Sequence, residues 1–179
     1  NIANQNLEIF QKNKVARLVV LKDTSELYFA LGDGTGWGTS VSGGTVPKNE
    51  WVHVAATRDS DDNATIYING VEIASITNSS SGSSTDPMVL GRYSSATTNH
   101  FNGKIAEFSI FNRDLGSDEI INLANGMKLR GNENGLAGYW PLDEASGTIA
   151  YDKSAFSNDG TMSGTTWTTS DLNITTIYT

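Results

Sequence analysis

The stretch Trp51–Ser75, WVHVAATRDSDDNATIYINGVEIAS, decides the fold of this chain. Apolar and polar residues alternate at its start and again on both sides of Asn69-Gly70, which is the pattern of half-buried β-strands. Asn-Gly readily adopts the positive φ angles of a two-residue type I′ turn, and the polar run Arg58–Asn63 predicts a second hairpin loop. The stretch therefore predicts three consecutive antiparallel strands.

Further apolar or β-rich segments lie on both sides of this stretch. Glycine, proline and polar turn residues separate them from one another. A serine-rich run, Asn78–Asp86, is predicted to be a solvent-facing, mobile loop. The flanking segments are Leu7–Phe10, Val15–Leu21, Leu27–Leu31, Trp37–Ser42, Met88–Arg92 and Phe101–Phe111.

One segment, Ser117–Ala124, predicts a helix. Ser117 is suited to cap its first turn, and the acidic residues that follow suit the positive end of the helix dipole. Gly126 predicts its end. The chain is thus predicted to be mostly β-structure with one short helix near 117–124.

Composition narrows the class of protein. A length of 179 residues suits one domain, and a net charge of −8 repels phosphate backbones, so nucleic acid is not expected as a partner. The absence of cysteine excludes disulfides, a thiol nucleophile and cysteine zinc sites. No apolar run approaches the roughly 18 residues of a membrane span, and the first residues, NIANQNLEIF, lack the pattern of a signal peptide.

Two motifs resemble the laminin G-like (concanavalin A-like) family. One is W-x-H-V-A-x-T, a short acidic loop and then I-Y-x-N-G, within Trp51–Gly70; the other is GKIAEFSIFNRDLGSDEI, Gly103–Ile120. The resemblance implies an all-β jelly-roll β-sandwich of two antiparallel sheets, and an extracellular or cell-surface location. The motifs are specific to fold and not to ligand.

The order of the segments differs from the usual order in that family. Gly135–Gly164 and Leu172–Thr179 resemble strands at the front of a family member, yet here they follow the helix. We therefore expect residues 1–134 to form the main part of a sandwich, and residues 135–179 to complete it or a neighbour's. Three interpretations stay open: a permuted domain, the C-terminal part of a longer protein with a family-typical tail, and a window from a tandem array that exchanges strands.

The sequence contains no evident catalytic constellation. Glycosidases that share this sandwich carry E-x-D-x-(x)-E, because an acid and a nucleophile must face one cleft about 5 Å apart, and no such triplet occurs. The acidic clusters Asp59/Asp61/Asp62 and Asp143-Glu144 are typical of solvated turns. His53 is typical of a packing residue in a strand, and the chain is predicted not to be an enzyme.

Candidate ligand-binding residues are aromatic, amide and charged side chains in or beside loops. Sugar CH groups pack on aromatic faces, and sugar hydroxyls need hydrogen-bond partners. Three other tryptophans, Trp51, Trp140 and Trp167, are predicted to fill the core. The candidates are Trp37, Arg92, Tyr93, Asn99 and His100.

Calcium is the predicted inorganic cofactor, because hard cations bind carboxylate, amide and carbonyl oxygens in loops that contain glycine. The candidate ligands are Asp152, Asn158 and Asp159, in a loop with the pattern D-x-S-x-x-x-N-D-G. A tight structural turn requires the same pattern, so both interpretations stay open.

Three functional hypotheses follow. The first, implied by the resemblance, is a non-catalytic extracellular recognition or adhesion module that binds a glycan or a surface protein. The second is a structural subunit of an extracellular filament, fibre or phage appendage, in which copies of the chain exchange strands. The third, a polysaccharide hydrolase, requires a carboxylate pair that the sequence does not show.

Overall fold

The structure of the chain is a computed structural model that describes residues 6–77, 79–93 and 99–168. Within these ranges it has twelve β-strands and one α-helix, and every paired strand is antiparallel. The chain forms two compact units, Asn1–Gly103 and Lys104–Thr179. The predicted fold class, an all-β sandwich with one short helix, is confirmed.

The first unit contains two antiparallel sheets. A five-stranded sheet has the order β4-β3-β2-β1-β8, and a three-stranded sheet has the order β5-β6-β7. The strands are β1 Leu7–Lys12, β2 Ala16–Val20, β3 Leu27–Gly32, β4 Trp37–Gly43, β5 Val54–Arg58, β6 Ala64–Ile68, β7 Val71–Ile76 and β8 Met88–Leu90.

The core of the first unit lies between these two sheets. Alternate residues of β3 and of β6 supply most of it, because successive side chains of a strand point to opposite faces. Removal of this apolar surface from water is the main stabilising contribution to such a sandwich. The buried cluster consists of Leu18, Leu27, Phe29, Leu31, Val41, Ala64, Ile66 and Ile68.

The predicted Asn69-Gly70 turn joins β6 to β7. Both residues have positive φ, 50° and 80°, as a type I′ turn requires, and Ile68 pairs with Val71 across the two-residue loop. Asn69 Oδ1 accepts a hydrogen bond from the His53 backbone N–H at 2.9 Å, which ties the turn to the start of β5. The three strands predicted from Trp51–Ser75 are thereby confirmed.

The serine-rich run Asn78–Asp86 was predicted to face solvent, but Ser79 and Ser80 pack against other residues of the first unit. Ser79 is buried, and the Ser80 backbone N–H donates a hydrogen bond to Thr39 Oγ1 at 2.7 Å. Small side chains allow this segment to approach other backbone closely enough to bond with it. The prediction of a solvent-facing loop was therefore wrong for these residues.

Gly82 lies where the backbone of this loop closely approaches the backbone of Asp33 and Gly34. A Cβ atom there would lie 2.1 Å from the carbonyl carbon of Asp33 and 2.3 Å from the nitrogen of Gly34. We expect Gly82→Ala to lower the free energy of unfolding by about 2 kcal/mol, because backbone must shift to admit the methyl group. Gly36→Ala is the matched control, since a Cβ at Gly36 meets no atom within 4 Å. Equal urea midpoints for the two variants would contradict the docked position.

The second unit contains two short antiparallel strand pairs and the helix. β9 pairs with β10, and β11 pairs with β12. In the described ranges, no helix has the length and apolar character needed to cross a membrane. The elements are β9 Phe108–Phe111, α1 Ser117–Ala124, β10 Leu136–Trp140, β11 Ile149–Ala150 and β12 Gly160–Thr161.

The strand β10 belongs to the segment that resembles the front of a family member. It pairs with β9 of the same chain, with Leu136 opposite Phe111 and Trp140 opposite Phe108. The rings of Phe108 and Trp140 also pack together, with centroids 5.8 Å apart. Whether residues 135–179 complete the sandwich of this chain or of a neighbour stays a prediction, and Leu172–Thr179 lies outside the described residues.

The helix spans the predicted range, but its cap residue is Gly116 and not Ser117. Glu119 Oε2 accepts a hydrogen bond from the Gly116 backbone N–H at 3.0 Å. Arg113 donates to both carboxylate oxygens of Glu119, at 2.8 and 2.6 Å, and these bonds together lower the pKa of Glu119 to about 2. Glu119, the third helical residue, thus binds the backbone N–H of the cap residue Gly116, whereas the sequence predicted that Ser117 would cap the helix.

The strand predicted over Phe101–Phe111 is shorter in the structure, where it covers only Phe108–Phe111. Glu107 has φ of 54°, in the left-handed region that a continuous strand cannot contain. The local pattern of apolar residues did not show this break.

The tryptophans assigned to the core differ in burial. Trp140 is buried, as predicted, whereas Trp51 and Trp167 are only half-buried. The indole N–H of Trp167 donates to the Gly147 carbonyl at 2.9 Å. Core placement was therefore right for one of the three.

Candidate functional site

The five-stranded sheet has a second face, opposite to the core, that carries polar and aromatic side chains. Arg17 pairs with Ala30 and Ala30 with Ser40, while Tyr28 pairs with Ser42, so these residues share one face. Core residues of β2 and β3 alternate with them and point the other way. We use the name guanidinium–aromatic patch for Arg17, Tyr28, Trp37, Ser40 and Ser42.

The Arg17 guanidinium lies against two aromatic rings of this patch. Its Cζ is 5.2 Å from the centroid of the Tyr28 ring and 5.0 Å from that of the Trp37 ring. Both distances fall within the roughly 6 Å range of cation–π attraction. The three side chains are half-buried and Ser40 is exposed, so the patch opens to solvent at the edge strand β4.

Burial on this face increases from β4 toward β1. Glu8 and Gln11, which pair with Val19 and Arg17, both have 0% exposure. Neither carboxylate oxygen of Glu8 has a hydrogen-bond partner in the described structure. Burial raises the pKa of Glu8 to about 7, although the nearby charge of Arg17 lowers it in part. Glu8 therefore ionises at a higher pH than an exposed glutamate does.

The predicted ligand-binding residues fall into two groups. Trp37 lies in the guanidinium–aromatic patch. The others lie in the loop after β8, whose ends are joined by a hydrogen bond from the Phe101 N–H to the Gly91 carbonyl at 2.8 Å. This second group consists of half-buried Arg92, Tyr93 and Asn99 and exposed His100.

The structure does not bring the two groups together. β4 and β8 are opposite edges of the sheet, four strand spacings or roughly 19 Å apart. The loop also leaves β8 toward the Leu7 end of β1, whereas Trp37 lies toward the Lys12 end. A ligand of one or two sugar rings therefore contacts one group or the other.

Arg17, Tyr28 and Glu8 were not among the residues predicted from sequence. Candidates were sought in loops, and these three lie within strands. A usable signal was the alternation in β2 and β3, which places Arg17 and Tyr28 between core residues and hence on the other face. The pairing register decides which residues of neighbouring strands lie side by side, and the sequence alone did not reveal this register.

The predicted calcium loop is closed by backbone hydrogen bonds. Asp152 Oδ1 accepts from the Tyr139 and Ser154 N–H groups, and Oδ2 accepts from the Asn158 N–H, all at 2.9 Å. Asp159 Oδ1 accepts from the Asp152 N–H at 3.0 Å. Burial by itself raises the pKa of Asp152, but the backbone donors outweigh it and leave the pKa below its ordinary value.

These contacts fit a tight structural turn, and calcium binding by Asp152, Asn158 and Asp159 stays a prediction. Among the described residues, no group of three or more histidine, aspartate or glutamate side chains is placed to hold a metal ion. Asparagine and carbonyl oxygens would have to supply the remaining ligands.

The acidic residues weighed as catalytic candidates in the first hairpin loop close that loop instead. Asp59 Oδ1 accepts hydrogen bonds from the Asp61 and Asn63 backbone N–H groups, both at 2.9 Å. Asn63 also donates through its side chain, and these bonds lower the pKa of Asp59. His53 is half-buried, and burial lowers its pKa, in keeping with a packing role.

Two packed antiparallel sheets of this kind define the class of protein by its fold, a concanavalin A-like β-sandwich. The chain belongs to the concanavalin A-like lectin/glucanases superfamily, whose Laminin_G_3 family model matches residues 3–121. The resemblance found in Trp51–Gly70 and Gly103–Ile120 is thus confirmed. No curated protein matches the chain.

Two solved structures are similar to the chain. A provisionally assigned carbohydrate-binding protein from Bacteroides ovatus is 22% identical, with a TM-score of 0.71, over 87% of this chain and 46% of that one. The chain therefore spans less than half of that protein. An S-layer domain-containing protein from Clostridium thermocellum is 26% identical over 69% of this chain and 64% of that one, with a TM-score of 0.38.

Proposed function

We propose that the chain is a non-catalytic, extracellular recognition module that binds glycan through the guanidinium–aromatic patch. The observation that carries the proposal is the contact of Arg17 with the rings of both Tyr28 and Trp37, on a sheet face where Ser40 and Ser42 are exposed. Aromatic rings offer apolar faces to sugar CH groups, and the guanidinium and serine hydroxyls offer hydrogen bonds to sugar hydroxyls. The patch combines both in one place.

The residues of this face favour recognition over hydrolysis. Retaining and inverting glycosidases need two carboxyl groups that flank the scissile bond. Glu8 is the one carboxylate among the paired residues of β1 to β4 that share this face, and both its oxygens are buried. One buried carboxylate does not supply both an acid and a nucleophile or base.

The family supports the same proposal. Its description joins lectins with glucanases, and the Bacteroides ovatus protein of the same fold is provisionally assigned to carbohydrate binding. We propose an extracellular or cell-surface location for this chain, as the family resemblance implies. A surface protein as ligand, and assembly by strand exchange between copies, stay predictions.

We expect Trp37→Ala to weaken glycan binding by at least about tenfold, because the variant removes the ring that supports both Arg17 and the sugar. Trp167→Ala, which removes a half-buried indole elsewhere, is the matched control and should leave affinity unchanged. Isothermal titration with glycans first identified on an array provides the measurement. Unchanged glycan affinity in a folded Trp37→Ala variant would show that the guanidinium–aromatic patch is not the glycan-binding site.

A second variant shows whether glycan binds at the guanidinium–aromatic patch or at the loop after β8. Tyr93→Ala should leave glycan affinity within about twofold, since that loop lies on the other edge of the sheet. A loss of binding in Tyr93→Ala with none in Trp37→Ala would place the site in the loop of Arg92, Tyr93, Asn99 and His100. Concentration-dependent polymers in sedimentation, with no glycan bound, would favour assembly instead.

A further inference from the structure

Arg17 has hydrogen-bond donors that find no acceptor among the described residues. In the part of the chain that the structure describes, its guanidinium makes ring contacts with Tyr28 and Trp37 but no hydrogen bond and no ion pair. Nε is buried without a partner, whereas the two Nη atoms are not among the fully buried nitrogens. An arginine carries five N–H donors, so this site holds unused donors that reach solvent.

Arg17 shares its sheet face with further hydrogen-bonding groups. The exposed hydroxyls of Ser40 and Ser42 lie on this face, on strand β4. A guanidinium beside aromatic rings keeps its N–H donors in its own plane, where they remain available to a ligand. The patch therefore combines cationic donors, aromatic rings and hydroxyl groups.

Arg17 is a cation without an ion pair among the described residues. The chain as a whole has a net charge of −8. Glu8 and Arg17 interact through their charges, with no hydrogen bond to either Glu8 carboxylate oxygen in the described structure. A half-buried cation of this kind is suited to an anion from outside the chain, because partial burial reduces the screening of that attraction.

We infer that the guanidinium–aromatic patch selects acidic glycans, and that Arg17 binds the carboxylate of a uronic acid residue while Trp37 and Tyr28 contact the sugar ring. This inference rests on the proposed function and names its ligand class. A carboxylate is planar and accepts two parallel N–H bonds from one guanidinium, which is the strongest pairing open to Arg17. The serines are then left for ring hydroxyls.

The test compares acidic glycans with neutral ones of the same linkage. The probes are oligogalacturonate, oligoglucuronate and hyaluronan oligosaccharides, each beside its carboxyl-reduced counterpart, titrated against the full chain at low and at physiological salt. We expect at least one acidic probe to bind about tenfold or more tightly than its reduced form, and the difference to shrink as salt increases.

Two variants assign the effect to Arg17. Arg17→Gln should make the affinities for the acidic and reduced probes equal, while Arg17→Lys should keep part of the preference because it retains charge but loses the paired donors. Arg130→Gln, an exposed arginine of the second unit, is the control with the same charge change and should behave as the unmodified chain. Circular dichroism and melting curves establish that each variant is folded.

The possible outcomes separate this inference from the proposed function. Equal binding of the acidic probes and their reduced forms would overturn the inference and leave glycan recognition standing. So would tighter binding of a further probe, an oligosaccharide that carries sulfate but no carboxylate, than of the uronates. An Arg17→Gln variant that is folded and keeps the acidic preference would also overturn it. Absence of binding to any glycan, acidic or neutral, would instead overturn the proposed function itself.

Discussion

Replacing Asp152 by alanine is expected to lower the free energy of unfolding by about 3 kcal/mol. The side chain is buried and accepts backbone N–H groups of Tyr139, Ser154 and Asn158, which alanine would leave without partners. An unpaired buried N–H group costs roughly 1–3 kcal/mol, and water admitted by the truncation recovers part of that. Urea denaturation followed by circular dichroism measures the difference.

Asp114→Ala is the matched control for Asp152→Ala, because it removes an exposed carboxylate of the same unit. Its free energy of unfolding should stay within about 0.5 kcal/mol of that of the unmodified chain. The sign of the pH effect follows from the lowered pKa of Asp152: its stabilising contribution is present above the ordinary pKa of aspartate and is lost as the pH falls through the lower folded value. A folded Asp152→Ala variant with an unchanged midpoint would contradict the structural role of the carboxylate.

The same measurements address calcium. A turn that is closed by its own hydrogen bonds is stable without the ion, so its melting temperature should be the same in calcium and in EDTA. A melting temperature that rises with calcium concentration, and no longer does so in Asp152→Ala, would support the predicted ligands Asp152, Asn158 and Asp159.

The second large effect is expected at Glu8, where Glu8→Gln should raise stability at pH 8 by roughly 2–3 kcal/mol. The folded pKa of about 7 lies above the ordinary value of 4.5, because burial penalises the charged form. The folded chain therefore holds this proton more tightly than the unfolded chain does. The contribution of Glu8 to stability is largest below about pH 4.5 and falls as the pH rises toward 7. Above pH 7 this contribution changes little.

Glu8→Gln should remove this pH dependence, since the amide keeps the shape of the side chain but does not ionise. Glu50→Gln, an exposed carboxylate in the same unit, is the control and should follow the unmodified chain at every pH. Denaturation at several values between pH 4.5 and 8 gives the comparison. Parallel curves for Glu8→Gln and the unmodified chain would mean that Glu8 is ionised in both folded and unfolded states.

Short-range features were predicted correctly because their causes lie in neighbouring residues. The Asn69-Gly70 turn, the alternation that buries Ile66 and Ile68, and the range of the helix were all visible in the sequence. The helix cap shows the limit of such reasoning. Ser117 is a residue type that often caps helices, but here Gly116 is the cap residue. Arg113 and the Gly116 N–H both bind Glu119 and hold the start of the helix.

The candidate site was only partly predictable. Trp37 was identified from its residue type and its place beside a turn, whereas Arg17 and Tyr28 were passed over because they lie inside strands. The search was confined to loops and so missed them, and the loop residues Arg92, Tyr93, Asn99 and His100 follow β8, which is the other edge of the sheet. Their role in binding stays a prediction that the Tyr93→Ala variant tests.

The sequence by itself determined the strands, their turns and the two-sided character of each strand, because these depend on backbone preferences and on side chains one or two residues apart. Only the tertiary structure decided which polar residues meet. Arg17, Tyr28 and Trp37 come together through the registers of three strands, and Glu8 becomes buried through packing across the sheet. Register and burial arise from contacts between residues distant along the chain, and no local pattern encodes them.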